Sequence, residues 1–226
     1  MKKLFLFQLF FIASASGAFA ESSDKYYGTI RLNSGAYRAH DMESSARPGL
    51  GQFVPGKDLN TEVFSGSVAM GYHLPSNWRI EGEYTFPTEN EFTSGSTNFP
   101  ASFNHHKTRS QRFMAHIYKD VPINEQLSIF GTAGAGFARV ESSGWQGNES
   151  RQYFSGTETN LAYSLGLGIT YKATEKVNID VGYRYVYMGK AYSGANNFTN
   201  VRGEQDEQMR AKLTSSEVTV GVRYNF

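Results

Sequence analysis

Apolar and polar residues alternate along several stretches of this chain. Over residues 177–187 every odd position is apolar or aromatic, while the even positions include Asp180 and Arg184. Successive side chains of a β-strand point to opposite faces, so this pattern predicts a strand with one apolar face and one polar face. The same strong alternation recurs over residues 78–86, 161–171 and 218–226.

Weaker alternation adds four more segments, at residues 26–37, 63–74, 111–121 and 127–137. Each of the eight segments has roughly the length, about 9–11 residues, that a tilted strand needs to cross a bilayer. Because the apolar residues of each segment share one face, we expect that face to meet lipid.

The connections between these segments alternate in length. Short ones cover residues 75–77, 120–126 and 173–176. Long ones, rich in Ser, Gly and Asn, cover residues 38–62, 87–110, 138–160 and 188–212. Short turns at one rim and long loops at the other are typical of outer-membrane barrels. The pattern therefore predicts an all-β protein, a transmembrane antiparallel up-and-down β-barrel of about eight strands, with short periplasmic turns and four long extracellular loops.

The first twenty residues differ from the rest of the chain. Lys2 and Lys3 precede an apolar run over residues 4–12, and Ala18 and Ala20 supply the small residues that a signal peptidase recognises. The apolar run is too short to span a bilayer as a helix. We expect residues 1–20 to be a signal peptide cleaved between Ala20 and Glu21, and residues 21–226 to form the outer-membrane barrel.

Composition narrows the range of functions. Without Lys2 and Lys3, 20 of the 22 basic residues remain against 21 acidic ones, so no overall positive charge favours nucleic acid. Cysteine is absent, which excludes disulfides and thiolate chemistry. Aromatic residues make up 15% of the chain, which suits the aromatic girdles of a membrane barrel.

The polar face of the predicted strands carries both signs of charge. Its members are Arg31, Arg79, Glu81, Glu83, Arg112, His116, Asp180, Arg184, Glu217 and Arg223. An eight-stranded barrel is filled by its side chains, and buried charges have to be paired. We therefore predict an ionic network inside the barrel. Glu81 and Glu83 could otherwise be interpreted as catalytic acids, but pairing with neighbouring arginines is the preferred interpretation.

Two motifs near the C-terminus resemble known barrels. The last segment, VTVGVRYNF, ends in Phe226 with Tyr224 two residues before it, and resembles the signal that the barrel assembly machinery recognises. VGYRYVYMGK, at residues 181–190, resembles the penultimate strand of OmpA-like and opacity-type small barrels. In size and loop layout the chain is also similar to the Tia/Hek group of agglutinins and invasins. That likeness implies surface exposure and adhesion to host cells.

A short basic stretch lies at the end of the second long connection. His105, His106, Lys107 and Arg109 fall within five residues, and such a group would bind host sulfated glycans mainly by charge. An adhesin that binds host-surface glycans is the leading hypothesis. Two alternatives remain open: a structural barrel whose basic rim contacts outer-membrane lipid and lipopolysaccharide, and a low-conductance porin.

A lipid A-modifying enzyme is as weakly favoured as the porin. Resemblance to the lipid A deacylases of this fold would imply an active site with a His/Ser pair supported by a carboxylate. None of the five histidines in this chain shows the His-x-Ser spacing of that family. The adjacent His105 and His106 lack a third candidate metal ligand nearby. We expect no enzymatic activity, no cofactor and no metal.

Overall fold

The computed structural model of this chain describes residues 25–44, 53–55, 60–200 and 202–226, and it is built from β-strands. The strands are β1 (Tyr26–Ser44), β2 (Phe53–Pro55), β3 (Asn60–Leu74), β4 (Trp78–Ser96), β5 (Phe99–Pro122), β6 (Leu127–Gln146), β7 (Asn148–Lys172), β8 (Val177–Tyr192) and β9 (Met209–Asn225). No helix in these ranges is long and apolar enough to cross a membrane. The predicted signal peptide and its cleavage site lie outside the described residues.

Eight of these strands close into a ring. Each of them pairs antiparallel with its neighbours, β1 joins both β3 and β9, and the β4–β5 pairing closes the sheet. The ninth, β2, pairs with the outer end of β4 through Phe53 and Ser96. Because a closed ring leaves no strand edge in lipid, every ladder can be satisfied internally. The predicted eight-stranded antiparallel barrel is confirmed.

The outside of the ring is apolar over a limited height. Lipid-facing side chains such as Leu165, which is 67% exposed, cover it. A row of three apolar residues marks the extracellular limit of this band. Phe113, Phe137 and Leu161 are register partners on the adjacent strands β5, β6 and β7. The next outward residues above that row are Gln111, Arg139 and Thr159. We call the apolar zone the membrane band.

Above the membrane band the strands continue as an extension of the barrel. The segments 87–110 and 138–160, which the sequence analysis assigned to long loops, fold as β-hairpins with turns at residues 97–98 and at Gly147. Gly147 has a φ of 72°, a conformation that favours glycine. The strand ends were underestimated because the apolar outer face stops at the lipid boundary, whereas strand pairing continues in water without an apolar outer face.

The barrel interior changes character along its axis. Charged side chains fill the lumen within the membrane band. Towards the extracellular end, an apolar core fills it instead, built from Tyr37, Met42, Phe92, Met114, Val140, Met188, Leu213 and smaller residues. This apolar layer fills the lumen, and the strands of the extension pack around it. This layer was not predicted from the sequence, because most of its large residues lie in segments that were assigned to loops or weak strands.

Candidate functional site

A ladder of six charged side chains crosses the lumen. It runs Glu81, Arg31, Glu83, Arg184, Glu217 and Arg112, with nitrogen–oxygen distances of 2.6, 3.2, 2.7, 2.8 and 2.7 Å in that order. Carboxylates and guanidinium groups alternate, three of each, so the group is neutral. His116 adds a contact of 3.3 Å from its Nε2 to Glu83.

A second ionic group lies nearer the periplasmic end. Arg79 Nε is 2.9 Å from Asp120 and its Nη1 is 3.9 Å from Asp180, which also pairs with Arg223 at 3.1 Å. The Arg79 guanidinium lies 3.8 Å from the ring centroid of Tyr118. Two cations and two carboxylates again balance. Asp120 was missed because the sequence analysis placed it at the boundary with a periplasmic turn.

The ten predicted polar-face residues all lie inside the barrel: nine belong to one of these two groups, and His116 contacts Glu83. Four of the five pairs join strands that are not neighbours and act as braces across the lumen, whereas Arg184 and Glu217 are register partners on the adjacent β8 and β9. Glu81 and Glu83 are held by guanidinium groups rather than presented to a cavity. This arrangement suits a closed, rigid scaffold.

The basic stretch of the predicted ligand site lies on β5, in the extension rather than in a loop. His105, Lys107 and Arg109 point outward. Their register partners on β6 are Trp145, Ser143 and Glu141. We call the outward group His105, Lys107, Arg109, Arg139 and Trp145 the hairpin face. Since Lys107 is six residues beyond Phe113, it lies roughly 15 Å above the membrane band for a tilted strand.

Trp145 organises the hairpin face. The His105 ring stacks on the Trp145 ring, with 4.6 Å between centroids and 7° between planes. Lys107 Nζ lies 4.6 Å from the Trp145 ring centroid, within the range of a cation–π contact. His105 Nδ1 is also 2.8 Å from Glu91 on β4. These contacts hold two basic side chains against one aromatic ring.

His106 does not belong to this face, which corrects the sequence-based assignment. Alternation along β5 turns its ring inward, where it is buried and hydrogen-bonds Ser142. Burial lowers the pKa of His106 to about 4. The imidazole therefore adds no positive charge to the outer surface at neutral or mildly acidic pH.

The charge on the hairpin face is also more balanced than the sequence suggested. Glu89 on β4 lies 3.8 Å from Arg109, and Glu91 and Glu141 share the same face. Lys107 and Arg139 have no carboxylate within 4 Å among the residues that the structure describes. Trp145 and Arg139 were missed because only the β5–β6 register brings them beside the basic stretch.

The predicted assembly signal lies at the periplasmic end of β9. Tyr224 and Phe226 are half-exposed on the lipid side, with ring centroids 5.9 Å apart. The Phe226 backbone N–H donates to the Tyr26 carbonyl at 3.1 Å, where β9 meets β1. The described ranges contain no cluster of three or more His, Cys, Asp or Glu side chains that could hold a metal.

Comparison with known proteins agrees with the fold. Residues 5–226 match the family described as outer membrane protein beta-barrel domain. The chain is 27% identical over 186 residues to the outer membrane protein PagN of Salmonella typhimurium, covering 75% of each chain. It is 27% identical over 228 residues to a putative adhesin of Rickettsia bellii, covering 95% of this chain and 94% of the other.

Solved structures share the architecture at lower identity. Neisserial surface protein A matches with a TM-score of 0.51 and 17% identity, over 91% of this chain and 98% of that one. The outer membrane protease OmpT of Escherichia coli gives the same TM-score and coverage at 10% identity. At these identities the likeness shows the fold alone.

Proposed function

Because the chain belongs to the outer membrane protein beta-barrel domain family, we propose that it is a surface adhesin that binds acidic host glycans through its hairpin face. The protein resides in the outer membrane, and its extension projects from the membrane band. Loops and strand ends presented by a rigid barrel are the usual place for binding residues. The braced and closed lumen provides that rigidity.

The relatives support adhesion rather than catalysis. The Rickettsia bellii relative, which this chain matches over almost its entire length, is named a putative adhesin. The protease among the fold neighbours shares only 10% identity. We propose that this chain is not an enzyme and needs no cofactor.

The choice of a sulfated glycan as the ligand rests on one observation. Lys107 lies on the outward surface, above lipid, and is held near Trp145 without a carboxylate within 4 Å in the described part of the chain. Arg109 and Arg139 lie on the same face. Exposed cations held in place by an aromatic ring suit a sulfated sugar, because the sulfates meet the charges.

The test is attachment of a non-adherent laboratory strain that displays the chain on its surface. We expect the parent to attach to cells bearing sulfated glycans and soluble heparin to block attachment. The double variant K107Q/R109Q should lose attachment several-fold at equal surface level. The control K172Q/K176Q removes two charges at the periplasmic rim and should attach like the parent. Equal attachment by both variants would contradict the proposal.

A further inference from the structure

A second group of cations lies on the opposite side of the barrel, where the extension begins. Lys190 on β8 and Lys212 on β9 are direct register partners, and Arg210 pairs with Tyr192. All three cations are exposed on the outward surface. We call Lys190, Arg210 and Lys212 the β8–β9 cluster.

Two cations of the β8–β9 cluster lie near one aromatic ring. Lys190 Nζ lies 5.5 Å from the Tyr192 ring centroid, and the Arg210 guanidinium carbon lies 5.4 Å from it. Two lysines directly opposite each other in adjacent strands repel and destabilise the pairing. The arrangement therefore carries an electrostatic cost, which the Asp41–Lys212 pair offsets in part and a bound anion would reduce further.

A neighbouring carboxylate offsets only part of this charge. Asp41 Oδ2 is 2.8 Å from Lys212 Nζ. Among the side chains that the structure describes, neither Lys190 nor Arg210 has a carboxylate within 4 Å. The β8–β9 cluster thus keeps a net positive charge, whereas Glu89, Glu91 and Glu141 accompany the cations of the hairpin face.

The height of the β8–β9 cluster fits the headgroup region of the outer leaflet. Tyr163 and Tyr187 stack at 4.8 Å between centroids on β7 and β8, one outward position below Leu161, which marks the end of the membrane band on β7. Lys190 follows Tyr187 by three residues, which places its backbone roughly 8 Å higher on a tilted strand. The polar headgroup layer extends about 5–8 Å beyond the hydrocarbon core.

We propose that the β8–β9 cluster binds the phosphate groups of a phosphorylated glycolipid, of the lipid A type, in the outer leaflet. Lysine and arginine both form short, charge-assisted bonds to phosphate oxygens. A phosphate between Lys190 and Lys212 would replace their mutual repulsion with two attractions, and Arg210 would offer a bidentate contact. The site is separate from the hairpin face, because β8 and β9 lie across the ring from β5.

The proposal is tested with the full barrel folded in zwitterionic micelles. Bisphosphorylated lipid A, dephosphorylated lipid A and inorganic phosphate are each titrated, and the unfolding temperature is followed. We expect bisphosphorylated lipid A to raise the unfolding temperature of the parent by several degrees, about the size expected for saturating a site on a chain of this length. The variant K107Q/R109Q should show the same rise.

The neutral variant K190Q/R210Q should lose most of that rise and bind roughly tenfold more weakly, or worse. The charge-conserving variant K190R/R210K should keep the rise in unfolding temperature. That result separates lost binding from a folding defect. Three results would each overturn the proposal: an equal rise in K190Q/R210Q, an equal rise with dephosphorylated lipid A, or the same rise with inorganic phosphate at matched concentration. None of them bears on attachment through the hairpin face.

Discussion

Arg184 and Glu83 form an ion pair across the lumen, with Nη1 2.7 Å from Oε2. Their strands, β8 and β4, lie on opposite sides of the eight-membered ring. Arg112 on β5 and Glu217 on β9 span the ring in the same way at 2.7 Å. These pairs connect walls that share no backbone hydrogen bonds, so they brace the barrel against flattening and fill its centre.

Removing one carboxylate of this ladder should destabilise the barrel strongly. Glu83→Gln leaves Arg31 and Arg184 short of a partner in a buried site, and breaking a buried pair typically costs about 3–5 kcal/mol. Urea unfolding in detergent would measure the change. Glu89→Gln, at a side chain that is 81% exposed, should stay within about 0.5 kcal/mol. A similarly small effect of Glu83→Gln would show that the ladder does not support the fold.

The composition of the ladder could be predicted from sequence, but its pairing could not. Alternation alone puts Arg31, Glu83 and Arg184 on the inner face. Which guanidinium meets which carboxylate depends on the register and on the stagger of strands on opposite walls. The apolar core around Phe92 and Leu213 was missed for a related reason, since the analysis ended the strands where the outward apolar residues ended.

The assignment of the membrane band can be tested with two arginine substitutions. Val181→Arg places a charge on the lipid face in the middle of β8 and should cost roughly 2–4 kcal/mol. Thr157→Arg is also outward, but lies on β7 above the membrane band, and should cost about 0–1 kcal/mol. Unfolding measured in lipid vesicles would compare them. Equal losses would mean that the boundary of the band is misplaced.

Burial of His106 should make the barrel sensitive to acid. The pKa of His106 is about 4 when folded and about 6.5 when unfolded, so between those values the unfolded chain binds more protons. The contribution of neutral His106 to the free energy of unfolding should be complete above pH 6.5. It should decline as the pH falls towards 4, by on the order of 3 kcal/mol. His106→Gln should flatten the stability profile over this window. An unchanged profile would contradict a neutral, buried imidazole.

The hairpin face shows that a local sequence motif does not predict which residues share a surface. In the sequence, residues 105–109 look like one basic patch. In the strand, His106 points inward and its neighbours point outward. Carboxylates from β4 and β6 then join the same surface, together with Trp145. Sequence alone contains the residue types, but the grouping depends on hairpins that the composition of these segments did not reveal.

The C-terminal aromatic should matter more for assembly than an aromatic of equal exposure elsewhere. Phe226 is 38% exposed and Phe103, at the extracellular end, is 39% exposed. We expect Phe226→Ser to lower the folded amount in the outer membrane several-fold, and Phe103→Ser to leave it nearly unchanged. Heat-modifiable migration on gels would report the folded amount. If both variants assemble equally, Phe226 is not part of an assembly signal.

Direct binding of a sulfated glycan to the purified barrel tests the proposed function most sharply. Parent, K107Q/R109Q and the control K172Q/K176Q would be titrated with heparin oligosaccharide in zwitterionic micelles at rising salt. We expect parent and control to bind equally and to weaken as salt screens the exposed charges. K107Q/R109Q should bind several-fold more weakly at low salt, with a shallower salt dependence. Binding by K107Q/R109Q that equals the parent at every salt concentration would contradict a glycan site on the hairpin face.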